Sequence, residues 1–321
     1  IGSTLDRVIP TEIILPSTVD RFIEVSPGAE FGCGLGNNRK VYCWGKNDNG
    51  QLGNDDTANS EVPVETAMPA LSMTLSTPAP GCALGMDQQI YCWGENTYGQ
   101  VGDGTTSNAL TPVTVSGLTS NFSTLPACAV DSEECEAIEG SFISGGLEST
   151  CAIGNDGKVY CWGSDTYKQL GNGSDGASST PDALALPMGV TRFTHISVGN
   201  IHACAIGDNG VGYCWGDGYY GKIGDGNAFA NARPSPVEVQ MPVSAFVSIG
   251  AGNAHSCGLG DDGYAYCWGS DDDGQLGYGA GSDMYEPYQV TPPSNNGAMF
   301  AETFSELAVG GNHNCAIGTE D

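Results

Sequence analysis

Five copies of the tripeptide Cys-Trp-Gly dominate the sequence, and each is preceded by another cysteine ten positions before its own. The tripeptides account for all 5 Trp of the chain and recur after 49, 69, 53 and 53 residues. Self-similarity at such a period indicates a fold built from similar units that stack on one another. The cysteine pairs are Cys33 and Cys43, Cys82 and Cys92, Cys151 and Cys161, Cys204 and Cys214, and Cys257 and Cys267.

The segment between the paired cysteines predicts a β-hairpin. From Cys151 to Cys161, two short apolar runs flank Asn155-Asp156-Gly157, which suits a tight turn. A turn centred on Asp156 places the cysteines opposite each other, where Cβ atoms are about 4.5 to 5.5 Å apart, close to what a disulfide spans. We therefore predict one disulfide in each of the five hairpins. A zinc site is the alternative, but this spacing fits zinc poorly because neither a His pair nor a Cys-x-x-Cys accompanies it.

Each unit has the pattern of about four short strands. After Trp-Gly come a polar turn and a glycine-bounded segment such as Gly274–Gly277. A Pro-flanked apolar run such as Pro236–Val239 follows, and a run such as Phe246–Gly250 leads to the next hairpin. A small four-stranded sheet cannot cover both of its faces alone, whereas sheets stacked radially around an axis can. The sequence predicts an all-β fold, a β-propeller that forms a single domain over residues 1–321.

The repeated pattern can be written Gly-x-x-x-x-Cys-x-(Leu/Ile)-Gly, a turn, Tyr-Cys-Trp-Gly and then Gly-Gln-Leu-Gly. It resembles the repeat of the regulator of chromosome condensation family, in a secreted, cysteine-bearing form of bacterial type. The resemblance covers essentially the whole chain, and it implies four-stranded blades of this size, usually seven in a closed ring. The units number about five and two thirds, so we expect about six to seven blades.

Both ends of the sequence fall inside a repeat. Ile1-Gly2 aligns with Leu52-Gly53, and residues 311–318 open a sixth hairpin whose second cysteine is not among the 321 residues. We therefore expect the chain to be cut within a unit at each end. Cys315 is accordingly predicted to be unpaired in this chain.

One stretch departs from the repeat. Residues 116–141 lengthen the second interval and contain Cys128 and Cys135, which we expect to close a small loop of their own. Insertions in propellers usually project from one face, where they do not disturb the blades. We predict an insertion loop that is either neutral or binds a partner.

Charge and cysteine use restrict the function. The chain has 10 Lys and Arg against 38 Asp and Glu, and its net charge of -28 disfavours nucleic acid as a partner. It has no apolar stretch long enough to predict a membrane span. Five or six structural disulfides predict an extracellular, cell-surface or periplasmic location. Asn121 and Asn172 lie in sequons and are candidate glycosylation sites.

Several residues invite a chemical role but fit the architecture better. His202, His255 and His313 each lie two residues before the first cysteine of a hairpin, and we expect them to pack or hydrogen-bond within their blades. Asp271-Asp272-Asp273-Gly274 resembles a calcium loop. Its counterparts in other units share no full ligand set, so we expect a turn there rather than a calcium site.

The sequence predicts no enzyme and no cofactor. No nucleophile elbow, phosphate-binding loop or paired-carboxylate arrangement stands outside the repeat. The leading hypothesis is a non-catalytic extracellular scaffold that binds a protein partner or copies of itself. The alternative is a module that binds glycans or calcium on a propeller face, through acidic loops and Tyr98, Tyr167, Tyr219 and Tyr220.

Overall fold

The computed structural model describes residues 12–28, 30–69, 72–76, 80–118, 142–228, 231–279, 281–290 and 303–319. Within these ranges, five four-stranded antiparallel sheets are followed by a two-stranded sheet. We name the four-stranded sheets blades 1 to 5, in chain order, and the two-stranded one the sixth sheet. Asn121, Cys128, Cys135 and most of the segment 116–141 lie outside the described residues.

The strand bounds follow the repeat. Blade 1 contains β1 (Phe22–Pro27), β2 (Phe31–Gly36), β3 (Val41–Gly45) and β4 (Ser60–Glu65). Blade 2 contains β5 (Ser72–Ser76), β6 (Gly81–Gly85), β7 (Ile90–Gly94) and β8 (Ala109–Thr114). Blade 3 contains β9 (Ile143–Gly145), β10 (Ser149–Ile153), β11 (Val159–Gly163) and β12 (Ser178–Ala183). Blade 4 contains β13 (Phe193–Val198), β14 (His202–Gly207), β15 (Gly212–Gly216) and β16 (Arg233–Glu238), with a short 3-10 helix at Tyr219–Gly221. Blade 5 contains β17 (Phe246–Ala251), β18 (His255–Gly260), β19 (Ala265–Gly269) and β20 (Met284–Gln289), and the sixth sheet contains β21 (Phe304–Val309) and β22 (Asn314–Gly318).

The strands of each blade pair in chain order, and the first strands of neighbouring blades pack against each other. Serine hydroxyls join these first strands. The amide of Val198 donates to Ser144 Oγ and the amide of Ala251 donates to Ser197 Oγ, and both distances are 3.0 Å. The sheets are therefore arranged as the blades of a propeller, which confirms the all-β fold predicted from the repeat. No helix among the described residues is long and apolar enough to cross a membrane.

The five hairpin disulfides form as predicted. In every blade the two cysteines are directly opposite each other in the register, with Cα atoms 4.1 Å apart. All ten side chains are buried, since none is more than 1% exposed. Each disulfide thus joins the two central strands of a blade at its most buried point.

The tyrosine of Tyr-Cys-Trp-Gly ties each hairpin to its own turn. The Asp156 carboxylate accepts a hydrogen bond from the Lys158 amide at 3.2 Å and one from the Tyr160 hydroxyl at 2.9 Å. The Tyr91 hydroxyl donates in the same way to Asp87 at 2.6 Å. Burial, together with this carboxylate, raises the pKa of Tyr91 to about 12. A side chain that bonds the backbone two residues on stabilises a tight turn, which fixes the hairpin register.

Tryptophans join one blade to the next. Trp93, Trp162, Trp215 and Trp268 are fully buried, and each indole N–H donates to a main-chain carbonyl of the preceding blade. The acceptors are Gln51 at 2.9 Å, Gln100 at 2.8 Å, Gln169 at 2.9 Å and Lys222 at 2.9 Å, respectively. We refer to this contact as the Trp latch.

The last glycine of Gly-Gln-Leu-Gly makes room for the latch. Gly102 has a φ of +80°, and a Cβ atom there would lie 2.6 Å from Nε1 of Trp162. Gly171 has a φ of +64°, and its Cβ would lie 2.4 Å from the Trp215 ring. A side chain at these positions would both strain the backbone and displace the indole.

Substitution of Gly102 by Ala tests the latch. Strain at positive φ costs about 1 kcal/mol, and the overlap with Trp162 is expected to add about 1 to 3 kcal/mol. The matched control is Gly117→Ala, because Gly117 also has a positive φ, of +76°, but no atom of the described residues lies within 4 Å of its Cβ position. We expect chemical denaturation to show a clearly larger loss of unfolding free energy for Gly102→Ala than for Gly117→Ala. Equal losses of unfolding free energy would mean that the positive φ alone explains why this position requires glycine, without any contribution from the contact with Trp162.

Candidate functional site

At two blade interfaces, the carbonyl oxygen that accepts the indole N–H of the Trp latch also accepts a second hydrogen bond. Thr150 Oγ1 donates to the Gln100 carbonyl at 2.9 Å, alongside Trp162. Ser256 Oγ donates to the Lys222 carbonyl at 2.9 Å, alongside Trp268. The second donor always precedes the first hairpin cysteine, directly across from the tryptophan in the sheet register. A carbonyl oxygen has two lone pairs, so it satisfies both donors at once.

The histidines extend this arrangement across the interface. His202 Nε2 lies 2.8 Å from Ser256 Oγ, and His255 Nε2 lies 2.9 Å from Asn314 Oδ1. Both partners belong to the next sheet, so the expected hydrogen bonding within the blade was wrong for His202 and His255: these bonds cross the interface. Sequence position could not reveal this, because the partner is more than 50 residues away. His313 is exposed.

Both bonded histidines are held neutral. Burial lowers the pKa of His202 well below its ordinary value, and the nearby charge of Lys222 acts in the same direction. Burial likewise lowers the pKa of His255. Because Ser256 already donates to Lys222, it accepts from His202 Nε2–H, and Nδ1 of His202 has no hydrogen-bond partner among the described residues. Protonation would add a charge and an unsatisfied N–H at this interface.

The pH dependence of stability should therefore include His202. A histidine whose folded pKa is lowered contributes stability that is present above its ordinary pKa of 6.5 and is lost as the pH falls below it. We expect wild type to lose more stability than His202→Gln between pH 7 and pH 5, by about 1 kcal/mol or more. Denaturation at both pH values checks this, with His313→Gln as an exposed control that should behave like wild type. Identical pH dependence in all three proteins would contradict the assignment.

A buried Asn or Asp organises the loop after Trp-Gly in blades 1, 2, 3 and 5. Oδ1 of Asn47 accepts the Leu52 amide at 2.8 Å, and Oδ1 of Asp271 accepts the Leu276 amide at 2.8 Å. The other oxygen of Asp271 accepts the Gly281 amide at 3.0 Å. The carboxylate of Asp271 is thus used to hold the loop, and no group of three or more His, Cys, Asp or Glu in the described part of the chain could hold a metal ion.

Asp165 occupies this loop position with an incomplete set of partners. At the equivalent Asn47, Nδ2 donates to the carbonyls of Asp56 at 2.9 Å and Ala58 at 3.1 Å. Asp165 has no N–H to donate, and its Oδ2 faces Lys168 Nζ at 3.5 Å. Burial raises the pKa of Asp165, against the opposing effects of the Leu170 amide and Lys168.

Replacing Asp165 with Asn should stabilise the protein at neutral pH. An acid whose folded pKa is raised contributes stability that is present below its ordinary pKa of 3.8 and is lost as the pH rises. We expect Asp165→Asn to gain about 1 kcal/mol at pH 7, through restored donors to the loop carbonyls, and less towards pH 4. Denaturation measures the unfolding free energy of both variants. Asp175→Asn is the control, because it alters an exposed partner of Lys168. A loss of stability in Asp165→Asn at pH 7 would show that the ion pair with Lys168 dominates.

Exposed tyrosines lie on equivalent turns of three consecutive blades. Tyr98, Tyr167 and Tyr220 are 40%, 45% and 39% exposed, and the adjacent Tyr219 is 53% exposed. We name these four side chains the tyrosine arc. The turns of Tyr98 and Tyr167 are fixed, because their amides donate to the glutamine side chains two residues on, at 2.9 Å and 2.8 Å. The turns therefore present aromatic rings on a rigid backbone.

Positive charge is scarce, and the lysines are paired. Each of the five Lys lies within 4.0 Å of a carboxylate oxygen. The most buried pair is Lys222 with Asp217, at 2.5 Å. The remaining acids leave a strongly negative surface, since the net charge is -28.

Among the described residues, β22 of the sixth sheet pairs with β21 alone. Ile317 in β22 is 56% exposed, whereas the equivalent residues of the five blades are no more than 4% exposed. Cys315 is free and exposed. Beside it lies a cleft of about 290 Å³ between blade 5 and the sixth sheet, with Leu276, Gly277, Leu307 and Cys315 in its lining.

These features define a β-propeller whose blades are similar units stapled by disulfides and joined by Trp latches. The chain belongs to the regulator of chromosome condensation (RCC1) repeat family. The RCC1 repeat matches residues 40–73, 87–131, 156–206, 209–259 and 262–317, and a second form of the repeat matches residues 22–51, 141–169 and 246–275. This confirms the family resemblance found in the sequence.

This chain matches only part of the length of each relative. The E3 ubiquitin-protein ligase HERC2 of Homo sapiens is 29% identical over 167 residues, which are 52% of this chain and 3% of HERC2. The ultraviolet-B receptor UVR8 of Arabidopsis thaliana is 28% identical over 189 residues, which are 58% of this chain and 41% of UVR8. The chain thus spans less than half the length of either relative.

Solved structures share the fold over nearly the whole chain. Human WBSCR16 has a TM-score of 0.75 at 20% identity, over 93% of this chain and 72% of that chain. The ectodomain of the Physcomitrella patens receptor kinase CR4 has a TM-score of 0.52 at 22% identity, over 93% of this chain and 58% of that chain. These likenesses concern the fold alone.

Proposed function

We propose that this chain is a non-catalytic scaffold that works outside the reducing cytoplasm and binds a protein partner through the tyrosine arc. The observation that carries the proposal is the position of Tyr98, Tyr167 and Tyr220 on the same turn of three consecutive blades. Tyrosine supplies a large contact area with few rotatable bonds, and it is enriched at protein interfaces. Rings held on rigid turns lose little entropy on binding.

Charge indicates which partner surface fits. All five lysines are paired, and the surface is strongly negative. A partner with exposed Lys or Arg would be drawn to it, and Arg stacks well on tyrosine rings. The proposed partner surface is therefore basic.

The proposed location follows from the sulfur chemistry. Structural disulfides persist in oxidising compartments and are rare in the cytosol. The five buried disulfides support an extracellular or cell-surface location, with the periplasm as the bacterial equivalent. The likeness to a receptor kinase ectodomain is in keeping with a propeller outside the cell.

Other features remain proposals of the same scaffold. Residues 1–321 would form one propeller domain, and the insertion 116–141 would project from it. The sequons at Asn121 and Asn172 would be glycosylation sites in a host with that machinery. Asn172 Nδ2 lies 3.3 Å from Asp182 Oδ2, so glycosylation there would replace this hydrogen bond.

Site-specific photo-crosslinking tests the scaffold role. A photoreactive phenylalanine at position 167 should give a discrete protein adduct in extracellular extract of the source organism, and the adduct should disappear when Tyr98 and Tyr220 are changed to Ser. The matched control is the same probe at position 288, because Tyr288 is 49% exposed but lies on β20. Equal adducts at both positions, or none at position 167, would contradict the proposal. Competition by a glycan panel distinguishes the alternative of a glycan-binding face.

A further inference from the structure

The loop that carries Tyr219 and Tyr220 is supported differently from its counterparts. In blades 1, 2, 3 and 5, a buried Asn or Asp accepts one loop amide, and a glutamine side chain accepts the amide two residues before it. In blade 4 these two positions hold Gly218 and Lys222, whose side chains accept no hydrogen bond. An Asn does not fit in place of Gly218, because a Cβ atom there would lie 2.4 Å from the Asn231 carbonyl oxygen. The blade 4 loop therefore needs another support.

An ion pair supplies that support. Lys222 Nζ donates to Asp217 Oδ2 at 2.5 Å, and the Lys222 side chain is only 2% exposed. The same Nζ lies 6.0 Å from the centre of the Tyr220 ring, and the rings of Tyr219 and Tyr220 meet edge to face at 4.8 Å. Tyr220 has a φ of +62°, which an L residue adopts only when its surroundings hold it there. The placement of two rings of the tyrosine arc thus depends on the Lys222 ammonium.

His202 is connected to this loop by hydrogen bonds. Its Nε2 lies 2.8 Å from Ser256 Oγ, which donates to the Lys222 carbonyl at 2.9 Å. The ammonium of Lys222 also lies close enough to disfavour a charge on His202. Both side chains are buried, so water screens little of a repulsion between them. A proton added to His202 would therefore act directly on Lys222.

The other groups around His202 would not neutralise such a charge. β13 and β15 flank β14 in the sheet, and they contribute His195 and Tyr213, which pair with the other half of β14. β17 packs against β14 and carries no titratable side chain. β18 contributes His255, whose pKa burial also lowers. The carboxylate of Asp217 is already in its ion pair.

We infer that His202 is an acid switch for the tyrosine arc: a proton taken up from solvent displaces Lys222, loosens the turn of Tyr219 and Tyr220, and so releases the bound partner. The release of a partner rests on the proposed function, whereas the movement of the turn does not. The positions equivalent to His202 in blades 1, 2 and 3 hold no histidine. The turns of Tyr98 and Tyr167 therefore stay fixed in acid.

Fluorine NMR of the purified protein tests the movement. A 4-trifluoromethylphenylalanine at position 220 reports on the turn and has no titrating group. We expect a second resonance to grow as the pH falls from 7 to 4. The loosened turn should gain up to about tenfold in population per pH unit below 6.5, because His202 regains its ordinary pKa there. The same probe at position 98 should keep one resonance, because Asn96 and Gln100 hold that turn without titrating.

Three variants assign the response to His202. His202→Gln should abolish the second resonance at position 220. Lys222→Gln should remove most of it, because it takes away the repelled cation and supplies the glutamine of the other blades, and it serves if His202→Gln fails to fold. His313→Gln, at an exposed histidine, should leave the response unchanged. A static spectrum at position 220, equal changes at positions 98 and 220, or a full response in the first two variants would overturn the inference.

The photo-adduct at position 167 tests the release. Its yield in wild type should fall at least tenfold from pH 7 to pH 5, and it should stay constant in His202→Gln. A turn that moves while the adduct is independent of pH would overturn the regulation. A turn that moves with no adduct at either pH would contradict the scaffold role alone. A static turn with a normal adduct would contradict the switch alone.

Discussion

The hydrogen bond from a buried indole to a main-chain carbonyl of the preceding blade is the interaction on which the architecture depends. Each hairpin is a local structure, held by a disulfide and by the Tyr–Asx contact at its turn. Nothing within one hairpin determines where the next sheet lies. The latch does so, because the tryptophan must meet one carbonyl and one glycine at the same time, as Trp162 meets Gln100 and Gly102.

The same interface explains why polar residues are buried between blades. The Lys222 carbonyl accepts Ser256 and Trp268, and Ser256 in turn accepts from His202. A polar group left unpaired at such a place would cost about 1 to 3 kcal/mol. Each group in this hydrogen-bonded series, which runs from His202 through Ser256 to the Lys222 carbonyl, has at least one partner. The network therefore adds specificity to contacts that apolar packing alone would leave adjustable.

Sequence patterns predicted the features that are local in the chain. The ten-residue spacing gave the hairpins and the five disulfides, and the period gave the stacked sheets. The latch was missed because Trp162 and Gln100 are 62 residues apart, and a repeat shows that both recur without showing that they meet. For the same reason His202 was assigned to its own blade. The cleft beside Gly277 is a space between side chains, and only coordinates show such a space.

The latch has a direction that matters for biosynthesis. The acceptor and the glycine always precede their tryptophan in the chain, as Lys222 and Gly224 precede Trp268. A ribosome makes the N-terminal part first, so the acceptor carbonyl and the glycine of one blade can be folded before the tryptophan that packs on them is synthesised. The four latched interfaces can accordingly close one after another as the polypeptide grows.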